Sequence, residues 1–132
     1  MRIIIDTNVI MDILLKREPF FEASYGALRQ AIARGDDCLV SASAVTDIYY
    51  LLHKSLKDTA IAKAHLERLF RLLSVADVLS VDIQSAISSD ISDYEDAVVH
   101  AVALREKADY IVTRNVKDYV GSVVAVVRPA DL

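Results

Sequence analysis

Ile3-Ile4-Ile5-Asp6-Thr7-Asn8-Val9 decides how the rest of the chain is read. Three consecutive β-branched residues do not alternate apolar with polar, so the segment reads as a short strand covered on both faces. Asp6 closes it. From Thr7 to about Leu15, the residues Val9, Ile10, Ile13 and Leu14 recur at helical spacing. A fully covered strand that runs straight into an amphipathic helix is the opening of an α/β domain.

The same alternation continues downstream. Pro19 suits the first turn of a second helix, which carries Phe20, Phe21, Leu28 and Ile32 and ends near Gly35. Cys38-Leu39-Val40 is a second short strand. Ser41 or Ser43 caps a third helix through Ile48, Leu51, Leu52 and Leu56, and Asp58 starts a fourth ending near Leu73. Val78-Leu79-Ser80-Val81 reads as a third strand, followed by a short helix over 82–89. Ser92-Asp93-Tyr94-Glu95 has the S-x-x-E form of a capping box and opens a helix to about Lys107 that is apolar nearly all round. Tyr110-Ile111-Val112 is a fourth strand, 116–119 a turn or short helix, and Val123 to Val127 a fifth strand stopped by Pro129. The expected architecture is one α/β domain over 1–132, with a mainly parallel sheet of about five short strands and helices on both faces.

Composition fits that reading. The chain of 132 residues is 54% apolar, enough for one domain with its own core. A single cysteine, Cys38, excludes an intrachain disulfide and a multi-thiolate zinc site, and it fits a reducing, cytoplasmic compartment. No stretch approaches the roughly 20 apolar residues of a membrane span. Fifteen Lys+Arg against nineteen Asp+Glu give a net charge of −4, which disfavours a simple basic nucleic-acid binder. No glycine-rich phosphate loop and no nucleophile elbow occur.

Fourteen of the nineteen acids are Asp, so their positions matter more than their number. Ligands of parallel sheets bind beyond the carboxyl ends of the strands. Asp6 follows the first strand, and Asn115 with Asp118 follows the fourth. Asp47 falls in the first turn after the second strand. Asp93, Glu95 and Asp96 fall at the start of the helix that feeds the fourth strand. If these strands are neighbours, at least four carboxylates converge on one edge. Such like charges repel unless a cation compensates, and oxygen-only ligands select hard cations, Mg²⁺ or Mn²⁺. Ser92 and Glu95 supply the helix cap, which leaves Asp96 free for chemistry. Asp12 lies four residues before Lys16 and reads as half of a solvent-side helix pair. His100 reads as a packed structural histidine, and one of Tyr49 and Tyr50 as core.

Taken together, Ile3-Ile4-Ile5-Asp6-Thr7-Asn8-Val9, Val40-Ser41-Ala42-Ser43-Ala44-Val45-Thr46-Asp47, Asp93-Tyr94-Glu95-Asp96-Ala97 and Tyr110-Ile111-Val112-Thr113-Arg114-Asn115-Val116-Lys117-Asp118-Tyr119 resemble the PIN domain (PilT N-terminal-like) nuclease family across essentially the whole chain. The resemblance implies a Mg²⁺- or Mn²⁺-dependent ribonuclease acting on single strands, often the toxin of a VapC-type toxin–antitoxin pair and usually a homodimer. By position, Asp6, Asp47, Asp96 and Asn115 would be the catalytic set. Asp6, Asp96 and Asp118 would hold metal, and Thr7, Asn8 and Thr113 would support them. Arg114 and Lys117 are the candidates for holding RNA. Asp47 stands where the family usually has Glu, and Asn115 where it often has Asp. A module of the same fold that binds RNA or protein without cleaving is the alternative. A phosphotransfer or receiver-like domain also places Asp after its first strand, but it needs a lysine where this chain has Thr113-Arg114-Asn115.

Overall fold

The computed structural model describes residues 1–132. Five strands, β1 (Arg2–Ile5), β2 (Asp37–Ser41), β3 (Ser74–Ala76), β4 (Tyr110–Val112) and β5 (Ala125–Val127), form one sheet in the order β3-β2-β1-β4-β5. Every pairing is parallel. The α/β architecture expected above is therefore observed, with β1 at the centre.

The β1 run works as its composition predicts. Ile3 and Ile5 enter one core with Cys38, Val40 and Val112, while Ile4 enters the other with Leu39 and Ile111. Both faces of the central strands are covered, which is why the apolar residues run consecutively. The first core is closed by α1 (Thr7–Leu14), α2 (Phe21–Arg34), α3 (Ala42–Leu56) and α4 (Thr59–Leu72); the second by α6 (Tyr94–Arg105) and Ala86, just after the short α5 (Ser80–Ser85). Ile3 and Ile4 are both fully buried. Burying such a side chain contributes about 1.5–3 kcal/mol.

Helix ends follow local chemistry. Ser41 Oγ accepts from the Ser43 N–H and caps α3, and Asp58 Oδ1 accepts from the Ile61 N–H and caps α4. Gly35 ends α2 in the left-handed region at φ 81°. The second helix starts at Phe21 rather than at Pro19, which lies in the preceding turn.

Four expectations are corrected. The third strand is Ser74–Ala76, not Val78–Val81. Its backbone pairs with Leu39–Ser41 as soon as α4 ends. The apolar residues Leu79, Val81 and Ile83 instead sit exposed around α5, where Asp82 Oδ2 accepts from the Leu79 N–H and winds the segment into a helix. The helix expected over 82–89 accordingly starts at Ser80 and passes into a 3₁₀ turn, Ala86–Ser88. The Ser92–Glu95 capping box does not form. Asp93 is the N-cap of α6, with its Oδ1 accepting from the Asp96 N–H at 3.0 Å. Its carboxylate is the stronger acceptor and favours the positive helix start. The fifth strand is shorter than expected and begins at Ala125. No helix is long and apolar enough to cross a membrane.

Candidate active site

Sheet order places the site. The β1–β4 neighbourhood is the point where the chain's connections diverge to the two halves of the sheet, and a crevice opens there beyond the strand ends. Asp6 follows β1 and Thr113 follows β4, side by side. The Asp6 N–H donates to the Val112 carbonyl, which continues the ladder one residue past the end of β1.

Asp6 is buried and almost enclosed by donors. The Thr7 backbone N–H donates to Oδ1 at 2.8 Å. The Thr113 hydroxyl donates to Oδ2 at 2.9 Å, Asn8 Nδ2 at 3.3 Å and the Tyr119 hydroxyl at 3.2 Å. Thr113 is itself fully buried and its Oγ1 accepts from Asn8 Nδ2 and from the Asn115 N–H. Asn8 Oδ1 accepts from the Arg114 N–H. Asp6, Asn8, Thr113 and the start of the 113–118 loop thus form one connected network. Thr7 supports Asp6 through its backbone amide. Burial raises the Asp6 pKa against the pull of these hydrogen bonds.

Asp96 approaches from the first turn of α6. The Tyr119 hydroxyl lies 3.4 Å from its Oδ1, so one tyrosine proton is shared between Asp6 and Asp96. Burial, followed by the charges of Asp6, Asp93 and Asp118, pushes the Asp96 carboxyl up to about 7. Burial and the same two carboxylates raise the Tyr119 pKa, so the phenol stays a neutral donor. No lysine, arginine or histidine is bonded to either carboxylate.

These groups open into a cavity of about 720 Å³. Asp6, Asp47, Asp96 and Asp118 all line it, with Thr7, Asn8, Arg114 and Asn115. Thr113 lies beneath Asp6. Lys117 lies outside, in an adjoining groove of about 660 Å³ that Arg114, Asn115 and Asp118 share. Asp47 sits in the second turn of α3, not the first, and is exposed at the rim. The exposed Tyr50 and Tyr94 line the same cavity, giving aromatic faces beside the carboxylates.

The donor set fits a hard divalent cation. All candidate ligands are oxygens, Asp6 and Asp96 lack a compensating charge, and Asp6 Oδ1 accepts only one hydrogen bond. No three carboxylates stand close enough to ring an ion. This suits Mg²⁺, which typically takes one or two carboxylates and keeps several waters.

Several residues escaped the sequence reading. Tyr119 was only the aromatic that ends the 113–119 motif; its role emerges once the 3₁₀ turn Val116–Tyr119 folds it under the site. Glu95 lines the cavity instead of capping a helix. Asp12 is fully buried, not on the solvent side, and pairs with Arg114 and Arg17 rather than Lys16. Its apolar neighbours Ile10 and Met11 were the only hint of burial. His100 is packed as expected, its Nε2 accepting from the Val123 N–H, and burial lowers its pKa.

A family model for the PIN domain matches residues 2–117. The chain belongs to the PIN domain family. This PIN domain is similar to Ribonuclease VapC1 of Aquifex aeolicus (strain VF5), with 25% identity over 123 residues covering 89% of this chain and 84% of that protein. Its fold is shared with VapBC2 from Rickettsia felis bound to a DNA fragment from their promoter, at TM-score 0.75 and 18% identity, covering 97% of this chain and 98% of that one. It is shared equally with FitAcB from Neisseria gonorrhoeae, at TM-score 0.73 and 21% identity, covering 98% and 99%.

Proposed function

We propose that this PIN domain is a metal-dependent endoribonuclease that hydrolyses RNA phosphodiester bonds, using Mg²⁺ or Mn²⁺. The observation that carries the reading is the Asp6–Asp96 pair, two carboxylates joined through one tyrosine hydroxyl with no basic partner. Asp6 and Asp96 are the principal metal ligands, and Asp118 in the 113–118 loop would reach the ion through one of the waters it keeps. A bound divalent cation supplies Lewis-acid polarisation of the phosphate and a water of lowered pKa.

The chain's own residues do the rest. Thr7, Asn8 and Thr113 fix the Asp6 carboxylate, so its orientation needs no rearrangement when substrate arrives. Asp47 and Asn115, on opposite elements of the cavity wall, orient the attacking water and the phosphate. Arg114 and Lys117 hold RNA outside the carboxylates, and the exposed ring of Tyr50 offers a stacking face for a base. The similarity to a named ribonuclease supports the reaction class. By the same resemblance, the protein is the toxin of a toxin–antitoxin pair, cytoplasmic and homodimeric. The exposed side chains of Leu79, Val81, Ile83 and Ile87 offer apolar surface for a partner helix.

The test is cleavage of a panel of single-stranded and structured RNAs with Mg²⁺ or Mn²⁺, comparing wild type, Asp96→Asn and a chelator control. Cleavage by wild type alone, abolished by chelation, is expected. Equal cleavage by both proteins overturns the site. One observation favours the non-cleaving alternative: Asp47, exposed at the rim, and the uncharged Asn115 stand where the family usually has Glu and often has Asp. That alternative predicts RNA binding that survives Asp96→Asn and no metal-dependent cleavage.

A further inference from the structure

We propose that Asp12, Arg17 and Arg114 form a clamp for an RNA backbone phosphate at a nucleotide beyond the scissile one. The proposal rests on the ribonuclease reading above and adds a second, separate binding point to it.

Asp12 has no exposure, yet both its oxygens are used by charged groups. Arg114 Nε donates to Oδ2 at 2.9 Å and Nη2 to Oδ1 at 3.3 Å. Arg17 Nε lies 3.2 Å from Oδ1. A buried carboxylate needs one cation for neutrality. Here two guanidiniums converge on one, so the cluster keeps a net positive charge. The Arg114 guanidinium also lies 3.9 Å from the centre of the Phe20 ring, which fixes its plane.

The surplus charge is placed where a polyanion would use it. Arg17 and Arg114 line the same cavity as Asp6, Asp47 and Asp96. Each guanidinium has five N–H donors. Asp12 takes two from Arg114 and faces one of Arg17, and the rest have no acceptor in the protein. Arg114 also borders the adjoining groove, which carries Lys117 and Arg128. A strand whose scissile phosphate lies at the carboxylates therefore meets the fixed Arg114 with Arg17 beside it, then a groove of mixed charge that carries Lys117. An immobilised arginine fork suits a phosphate's oxygens and has little rotamer freedom left to lose on binding. A purely structural role for the cluster would be met by Arg114 alone, leaving Arg17 without a purpose.

Arg17 is therefore the informative position, being partly exposed and outside both cores. Fluorescence anisotropy with a labelled single-stranded RNA would be recorded over a salt series for Asp96→Asn and for Asp96→Asn with Arg17→Gln, with wild-type and Arg17→Gln cleavage in parallel. The expected result is RNA binding weakened roughly three- to tenfold by Arg17→Gln, with the log K against log salt slope shallower by about 0.7, the value for one phosphate contact on a single strand. KM should rise with little change in kcat, the melting temperature should hold, and Arg17→Lys should restore the slope. Unchanged affinity and slope, with wild type still cleaving RNA, overturns the clamp and leaves the ribonuclease reading standing. Absence of both cleavage by wild type and binding by Asp96→Asn overturns the two together.

Discussion

Replacing Asp96 by Asn should make the metal-free protein more stable while removing its activity. In the fold, the Asp96 carboxyl is pushed up to about 7 from an ordinary 3.8, chiefly by burial and then by the charges of Asp6, Asp93 and Asp118. At 1.36 kcal/mol per pH unit, this sets a ceiling of about 4 kcal/mol on the cost of ionising it. The side chain remains partly exposed, and solvent screening brings the expected gain down to about 1–2 kcal/mol. Asn keeps the shape and an oxygen for the Tyr119 hydroxyl. For a chain of this length, the gain corresponds to a rise of roughly 3–8 °C in melting temperature at pH 8.

The sign reverses the usual carboxylate case. A raised folded pKa means the folded state binds the proton more tightly, so stability is full below the unfolded value of 3.8 and is lost as pH rises through about 7. The two proteins should therefore melt together near pH 3.5 and diverge towards pH 8. The buried His100 acts in the opposite sense, since its lowered pKa removes stability as pH falls below the ordinary 6.5. Subtracting the Asn variant from wild type cancels that contribution. Thermal melts in chelator from pH 4 to 8 would give the difference curve. An Asn variant that is equally or less stable at pH 8, or a difference that does not grow with pH, would refute the account of the carboxylate pair.

The other expectations follow from the same geometry. Adding Mn²⁺ at pH 8 should raise the wild-type melting temperature well beyond that of Asp96→Asn, and calorimetry should find weaker cation binding in the variant. Tyr119→Phe removes the proton shared by Asp6 and Asp96, so urea unfolding should show a loss of about 1–3 kcal/mol without metal, and a larger stabilisation on adding it. Thr113→Val leaves Asp6, Asn8 and the Asn115 amide each short of a partner; chemical denaturation should register a loss of about 1–3 kcal/mol together with reduced cleavage. Ile4→Ala empties part of the second core beneath the site and should cost about 2–5 kcal/mol in the same assay.

The run Ile3-Ile4-Ile5 was enough to give a strand covered on both faces, because consecutive β-branched residues leave no solvent side. Asp6 at its end, a cap at Ser41 or Ser43, the Asp58 cap and a packed helix after Ser92 were legible because each depends on near neighbours in sequence; which serine caps, and that Asp93 opens the late helix, were not. The convergence of Asp6 and Asp96 was legible only conditionally, since it required β1 and β4 to be adjacent, and strand order is fixed by which faces pack together. Segment 74–83 was misread because short apolar runs do not distinguish a strand from an exposed helix; backbone pairing with Leu39–Ser41 and the Asp82 cap decided it. Asp12 looked like half of a surface pair because Lys16 stood at the right spacing, whereas its true partners are five and 102 residues away. Tyr119 carried no signal beyond an aromatic after Asp118. Local propensity and periodicity determined the elements and the residue types at their ends. Only the tertiary structure decided which charges share a cavity, because burial and pairing across distant segments depend on contacts that no sequence window contains.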